Sequence, residues 1–176
     1  MVSQWNIDPV HTHAQFSVRH LMVSNVKGVF AKTSGTVTLD EDDFVRSKIH
    51  VVIDAASLDT REPQRDQHLR SADFFDVAHF PDITFDSRRI EPQGDGFAVT
   101  GDLTIRGVSC EARLSVENPS PAVKDPWGGI RRGFEARCEI NRKDYGLVWN
   151  QILETGGVAV GDLVKISLEI ELVKAA

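Results

Sequence analysis

Two places in this chain combine histidine with a neighbouring carboxylate, and these residue types could bind a metal ion or act as an acid–base pair. Asp8, His11 and His13 are close in sequence, and residues at i and i+2 of a strand point to one face. Neutral imidazoles bind Zn²⁺ or Cu²⁺, so this spacing is compatible with a metal site. No third ligand follows at a metal-binding spacing, and Asp8-Pro9-x-His11 is equally typical of a hydrogen-bonded turn. We therefore predict no metal site.

The second group is Asp66 and His68, which lie in a segment that we expect to be helical. Residues two apart on a helix face different ways, so an acid–base pair is not favoured. We expect these side chains to anchor the helix by bonding backbone groups, and we predict no catalytic residue. No P-loop, GxGxxG motif or nucleophile elbow accompanies them. The alternative function is a small hydrolase or metal-dependent enzyme that uses His11, His13 or His68.

A basic group stands out in a chain whose net charge is −6. That overall charge repels a phosphate backbone, so we expect no nucleic-acid partner. Locally, the basic group is either a solvated face or a site that captures a phosphate, pyrophosphate or quinone head group at the entrance of an internal cavity. Nearby amphipathic aromatic side chains are typical of an opening, so we place the entrance at that end. The basic residues are Arg131, Arg132, Arg137, Arg142 and Lys143, and the aromatic ones are Trp127, Tyr145 and Trp149.

The elements that must position these residues are mainly strands. Apolar and polar side chains alternate with a period of two through most of the chain, which predicts about eight strands joined by hairpins. We expect long strands at 26–39, 108–118 and 158–173. Because each strand has one apolar face, the sheet must close on itself or pair with another.

The segment 57–85 interrupts this pattern and predicts one short helix at about 61–72. Thr60 can cap its N-terminus, Pro63 is tolerated in its first turn, and Pro81 prevents its continuation. Leu69 and the pair Phe74-Phe75 supply its apolar side. A closed barrel explains the long strands, the glycines within strands and a lone helix at one end better than a sandwich does.

Composition indicates an ordinary folded domain. The chain has 176 residues and 41% hydrophobic residues, so we expect a single domain over 1–176. No apolar run approaches the roughly 20 residues of a membrane span, and no secretory signal is recognisable, so we expect a cytoplasmic protein. Cys110 and Cys138 fall in apolar alternations and are expected to be reduced, although a bridge between neighbouring strands is conceivable.

An ordered series of motifs resembles the YceI-like family over nearly the whole chain, from Trp5 to Val164. The resemblance implies an all-β fold, an extended eight-stranded antiparallel lipocalin-like barrel. Its long apolar cavity would hold a polyisoprenoid, an isoprenoid quinone or a related lipid. The motifs are Trp5-x-Ile7-Asp8-Pro9-x-His11-Thr12, Phe16-x-Val18-x-His20-Leu21, Gly28-x-Phe30, Ser57-Leu58-Asp59-Thr60, Arg65-Asp66-x-His68-Leu69, Asp73-Phe74-Phe75-Asp76, Pro81-x-Ile83-Thr84-Phe85, Gly101-x-Leu103-Thr104-Ile105-x-Gly107 and Val160-Gly161-Asp162-x-Val164.

We therefore predict a non-enzymatic protein that binds a long apolar lipid for carriage, storage or sequestration, with no further cofactor. The expected partner is this small-molecule lipid, and a homodimer is compatible with the sequence. A dry-cored stress-related or interaction protein without a ligand remains another alternative, because an eight-stranded barrel can be filled by its own side chains. The residues predicted by alternation to hold the lipid are Phe16, Val18, Leu69, Phe74, Phe75, Phe85, Phe97, Leu103, Phe134, Ile140, Trp149 and Ile166.

Overall fold

The protein is described by a computed structural model that covers residues 1–176. It contains one α-helix, and its remaining regular structure is mostly strand. Three short 3₁₀ turns, Phe44–Arg46, Ala55–Ser57 and Arg142–Tyr145, connect some of these elements. The elements are β1 Val2–Ile7, β2 His13–His20, β3 Ser24–Phe30, β4 Thr33–Asp40, β5 Lys48–Asp54, β6 Leu58–Asp59, α1 Pro63–Arg70, β7 Asp82–Gln93, β8 Gly96–Ile105, β9 Val108–Val116, β10 Val123–Lys124, β11 Ile130–Asn141 and β12 Val160–Lys174.

The strands form a closed antiparallel barrel of eight strands, as the sequence predicts. The ring of hydrogen-bonded neighbours runs β11-β9-β8-β7-β5-β4-β1-β12 and closes through the long β11–β12 pair. Closure leaves each alternating strand with one face inside the barrel and one face outside. The closing pair runs from Arg131 opposite Val173 to Asn141 opposite Leu163.

The first strands of the chain are interrupted, which the alternation pattern did not indicate. The expected strand at 26–39 is two strands, β3 and β4, separated by Ala31 and Lys32. Both β1 and β2 pair with successive parts of β12, and β3 and β6 extend the sheet beyond β2. The strands β2, β3 and β6 therefore build one end of the barrel wall.

The helix is shorter than predicted, and its N-cap is a different residue. α1 spans Pro63–Arg70, and Glu62 caps it by accepting hydrogen bonds from the backbone N–H groups of Gln64 and Arg65, at 3.3 and 2.6 Å. Thr60, the expected cap, instead donates its backbone N–H and its hydroxyl to Asp66 Oδ1, at 2.9 and 2.5 Å. The buried Asp66 carboxylate thus ties the helix to the end of β6, which is the anchoring predicted for it.

One end of the barrel is filled by side chains, and we call it the plugged end. The Trp5 indole N–H donates to Ser3 Oγ at 2.8 Å, and the Ser3 hydroxyl donates to Glu41 Oε1 at 2.8 Å. Arg132 Nη2 lies 2.8 Å from Glu41 Oε2, and its guanidinium lies 5.7 Å from the centre of the Trp5 ring. Trp5 is only 1% exposed, so it closes the interior here.

Candidate ligand-binding site

The barrel encloses a cavity of about 580 Å³ between the plugged end and the opposite end. Of the 42 residues that line it, 32 are hydrophobic. This volume is within the usual range for small-molecule sites, about 300–1,000 Å³. The interior is therefore not the dry core that the ligand-free alternative requires.

Polar wall residues are concentrated at the end opposite the plug, and we call this end the mouth. It is framed by the end of β2 with Leu21, by the segment from Glu62 to Leu69 that includes most of α1, and by the loop from Trp149 to Val160. Wall residues near it, such as Val18 and Ile166, are half-buried, whereas those near the plug, such as Val99, are fully buried. The exposure of the wall thus increases toward the mouth.

Two phenylalanines lie against glycines of a neighbouring strand, which keeps their rings close to the wall. A Cβ atom added at Gly28 would collide with the ring of Phe16, its cross-strand partner. A Cβ atom added at Gly101 would collide with the Phe85 ring and with the Asp86 carbonyl. Because these glycines have no side chains, the rings pack over bare backbone and leave free space along the barrel axis.

The cavity wall contains every predicted lipid-contacting residue except Phe97. Phe97 instead packs against Phe44, with ring centroids 4.4 Å apart, beside the β7–β8 turn near the plugged end. Alternation identified its face correctly as apolar but could not indicate how far along the barrel the cavity extends. The wall residues are Phe16, Val18, Leu69, Phe74, Phe75, Phe85, Leu103, Phe134, Ile140, Trp149 and Ile166. Whether they contact a lipid remains a prediction.

The sequence interpretation missed several wall residues. Some could have been found by the same alternation, because Leu114 and Ile170 stand on the predicted inner faces of their strands. Others could not, because Tyr145 and Leu147 lie in and just after a 3₁₀ turn that has no strand periodicity. This turn covers the region where β9 and β11 diverge after only two paired positions.

Aromatic and hydrogen-bonded contacts fix the helix at the mouth. His68 Nε2 lies 2.9 Å from Asp73 Oδ2, and the imidazole packs edge-on against Phe74 and Trp149, at 5.1 and 4.7 Å between ring centroids. Arg65 donates from Nε to the Thr60 hydroxyl and from Nη2 to the Thr60 carbonyl, both at 2.7 Å. These contacts join α1 to the Trp149 loop and to β6, so they position the mouth.

The basic group does not assemble at the mouth, which corrects the head-group prediction. Arg131 and Arg142 are separated by the length of β11, roughly 35 Å at the usual strand rise. Arg132 belongs to the plugged end, Arg137 is exposed near Glu135, and Lys143 pairs with Asp162. Trp127, expected at the entrance, is 87% exposed in the turn between β10 and β11, whose Ile130 and Arg131 stand at the end of β11 away from the mouth.

Arg142 alone of this group lines the cavity, but its guanidinium is already engaged. It donates to the backbone carbonyls of Leu147, Trp149 and Gly161, at 2.6, 2.9 and 2.8 Å, and Nη2 lies 3.3 Å from the Val160 carbonyl. Burial lowers the pKa of Arg142 from its ordinary value. Its role in the structure is to hold the Trp149 loop against β12.

The histidines of the enzyme alternative are not gathered into one site. Asp8, His11 and Glu171 place potential ligand atoms within 4.8 Å of one another, but neither His13 nor His68 belongs to this group. Arg131 Nη1 lies 2.7 Å from Asp8 Oδ2 and 2.6 Å from Glu171 Oε1. The hydrogen bond with His11, followed by that from Arg131, lowers the pKa of Asp8 to about 2. The guanidinium thus occupies the position between the two carboxylates that a cation would take.

The two cysteines are free and half-buried, and Cys138 lines the cavity. Burial raises the pKa of the Cys138 thiol to about 11, so the thiol is uncharged.

The one α-helix is eight residues long, and no helix reaches the length and apolarity that a membrane span requires.

A closed antiparallel barrel with one short helix and an apolar interior open at one end defines a lipocalin-like barrel architecture. The chain belongs to the YceI-like family, whose domain model matches residues 5–172. The protein YceI of Salmonella newport is 37% identical over 175 residues, which cover 98% of this chain and 85% of that protein.

Two solved structures share the fold. BcnA of Burkholderia cenocepacia matches with a TM-score of 0.78 and 23% identity, covering 94% of this chain and 98% of that one. A polyisoprenoid binding domain from Saccharophagus degradans matches with a TM-score of 0.67 and 16% identity, covering 97% and 98%. Both similarities extend over nearly the whole chain.

Proposed function

We propose that this protein binds one long apolar lipid, a polyisoprenoid or an isoprenoid quinone, in its barrel cavity. The observation that carries the proposal is the cavity of about 580 Å³ with a predominantly hydrophobic wall. Burying apolar chain is worth about 0.8 kcal/mol per CH₂ group, so a long hydrocarbon gains affinity without many hydrogen bonds. The polyisoprenoid binding domain with the same fold supports this choice of ligand class.

The proposed role is carriage, storage or sequestration of the lipid without chemical change. A binding site that excludes water around an apolar chain needs only shape and hydrophobic surface, and the wall supplies both. The polar groups of α1 at the mouth, such as His68 and Arg65, are engaged in fixing the helix. The cytoplasmic location expected from the sequence stays a prediction, which cell fractionation would test. A homodimer is compatible with the sequence, and sedimentation analysis would test for it.

The proposal is tested by identifying what the protein retains. Protein purified without detergent is extracted with organic solvent, and the extract is analysed by mass spectrometry. We expect a homogeneous long-chain isoprenoid at close to one molecule per chain. An extract without any apolar lipid, together with no uptake of added prenyl quinone by the purified protein, would refute the proposal.

A matched pair of variants tests whether the cavity is where the lipid resides. Leu103 is buried in the cavity wall, and its neighbour Thr104 is half-buried on the outer face of β8. Leu103→Asp places a charge in the apolar cavity and should abolish lipid retention, whereas Thr104→Asp should retain it. Val18→Asp and Ser17→Asp repeat the comparison near the mouth, where the wall is half-buried and folding is less sensitive. Equal loss from both members of each pair would contradict the assigned site.

A further inference from the structure

Tyr145 is a buried polar residue of the cavity wall that the proposed function has not used. It ends the 3₁₀ turn Arg142–Tyr145 and is 2% exposed. The turn is well fixed: the Asn141 side chain accepts a hydrogen bond from the Lys143 N–H at 3.0 Å, and Gly146 follows in the left-handed conformation, with φ 80°. Tyr145 is therefore presented to the cavity by a rigid backbone.

The hydroxyl of Tyr145 has no hydrogen-bond partner within the protein, and it is not one of the fully enclosed unpaired polar atoms, which are Thr33 Oγ1, Thr100 Oγ1 and Arg132 Nε. Arg142 is the other buried wall residue with a polar side chain, and all of its hydrogen bonds go to backbone carbonyls. A buried tyrosine hydroxyl usually has a partner, and leaving one without a partner is unfavourable. The hydroxyl is therefore available to bond a ligand in the cavity.

The surroundings of this hydroxyl restrict the kind of partner. Burial is the main cause that raises the pKa of Tyr145, so the side chain stays a neutral O–H donor at physiological pH. The nearby thiol of Cys138 is uncharged too, and the Arg142 guanidinium is committed to carbonyl groups. No free cation is available here to neutralise a phosphate or a carboxylate, whose burial without compensation is costly. An uncharged acceptor fits this part of the wall.

We propose that the Tyr145 hydroxyl donates a hydrogen bond to an uncharged carbonyl oxygen of the bound lipid. This inference rests on the proposed function and specifies the ligand as a lipid with a quinone, ketone or ester carbonyl. The polar end of the ligand lies beside the Arg142–Tyr145 turn. Its apolar tail extends toward the deep wall around Val99 and Phe134.

The test compares two probes in the wild type and in Tyr145→Phe, which removes only the hydroxyl. The probes are a benzoquinone with a two-isoprene tail and the hydrocarbon squalene, each measured by displacement of N-phenyl-1-naphthylamine fluorescence. Tyr145→Phe should weaken quinone binding about fivefold and change squalene binding less than twofold, because a net hydrogen bond is worth about that factor. Phe74→Leu removes wall area without a hydrogen bond and should weaken both probes alike.

A spectroscopic readout distinguishes a direct hydrogen bond from a structural effect. Tyr145 is the single tyrosine of the chain, so ¹³Cζ-labelled tyrosine gives one NMR signal. The signal should shift with bound quinone and stay within its unliganded range with squalene. An unchanged signal with quinone, or equal weakening of both probes by Tyr145→Phe, would overturn the inference while leaving lipid binding intact. Failure of both probes to bind the wild type would instead refute the proposed function, and this inference with it.

Discussion

The two ends of this barrel are built from the same alternating strands but differ in how their interiors are filled. At the plugged end, Trp5 and Val37 are each 1% exposed, and Trp5 is held by the chain of hydrogen bonds through Ser3 to Glu41. At the mouth, apolar wall residues such as Val18 and Ile166 are only half-buried. Leu21 and Met22, at the β2–β3 turn, are 40% and 56% exposed.

This difference indicates that the plugged end mainly stabilises the fold, whereas the mouth mainly serves ligand binding. Tight packing at the plugged end contributes to the stability of the fold, because each buried side chain there gains both transfer free energy and contacts. The mouth leaves apolar surface without a partner, which costs stability in the free protein and is compensated when an apolar ligand is bound. Matched substitutions at the two ends can test this interpretation.

The largest difference is expected between two tryptophan truncations. Trp5→Ala removes a fully buried ring from the plugged end and should lower the free energy of unfolding by about 3–5 kcal/mol. Trp149→Ala, in the half-buried wall at the mouth, should cost about 1–2 kcal/mol but weaken lipid binding. Urea unfolding of the delipidated proteins measures the first effect, and probe displacement measures the second. Similar losses of stability in the two variants would contradict the comparison.

A second pair of variants enlarges a valine at each end. Val37→Phe overfills the packed interior beside Trp5 and should destabilise the protein by about 1–3 kcal/mol. Val18→Phe extends into free space in the cavity and should change stability by less than about 0.5 kcal/mol while reducing the lipid bound per chain. Thermal unfolding and mass spectrometry of extracts give the two results. If Val18→Phe destabilised as much as Val37→Phe, the cavity would not be open in solution.

The loss of stability at low pH should include a contribution from the Asp8 carboxylate. The pKa of Asp8 is about 2 in the folded protein and ordinarily 3.8, so its contribution is fully present above about pH 4 and is lost as the pH falls toward 2. Asp8→Asn should lower the free energy of unfolding by about 1 kcal/mol at pH 7 and flatten its decline below pH 4. Asp95→Asn, in the exposed β7–β8 turn, serves as the control. If the free energy of unfolding depended on pH in the same way in Asp8→Asn and in the wild type, Asp8 would not contribute to the acid dependence of stability.

The smallest effect is expected at the tip of the mouth. Leu21 and Met22 form the β2–β3 turn with φ values of 50° and 63°, and the Val23 N–H donates to the His20 carbonyl at 3.0 Å. A left-handed backbone conformation costs free energy for residues with a Cβ atom, such as Leu and Met, but not for glycine. Met22→Gly should therefore stabilise the protein by about 0.5–1 kcal/mol. Val23→Gly, which follows the strained positions, should bring no gain. Destabilisation by Met22→Gly would mean that contact of Met22 with Gly157 outweighs the backbone cost.

Much of the architecture was predictable because its determinants are local. Alternation over Val108–Val116 and Val160–Lys174 identifies strands with one buried face, and the break at Pro63–Arg70 identifies the helix. The prediction of a closed eight-stranded antiparallel barrel with one short helix is confirmed, as is membership of the YceI-like family. The helix limits were less accurate, because Thr60, the predicted N-cap, instead donates hydrogen bonds to Asp66, and Glu62 caps the helix.

The candidate site depended on contacts between residues that are distant in sequence. Alternation assigned Phe97 to the inside correctly, but only the fold placed it against Phe44 near the plugged end rather than in the cavity. The five basic residues between Arg131 and Lys143 looked like one group in the sequence. In the structure they are spread along β11 and into the 3₁₀ turn that follows it, and Arg131, Arg132 and Lys143 have different partners. Tyr145 could not be found by periodicity because a 3₁₀ turn carries it into the wall.

The sequence by itself determined which residues are apolar on one face of each strand, and hence that a closed sheet with a hydrophobic interior would form. Only the tertiary structure decided how that interior is divided, because filling or emptiness depends on the combined volume of side chains contributed by many strands. Trp5 and Arg132 happen to meet at one end, whereas the rings of Phe16 and Phe85 lie over glycines at Gly28 and Gly101. The free space between these regions is a property of the assembled barrel, since no single strand encodes it.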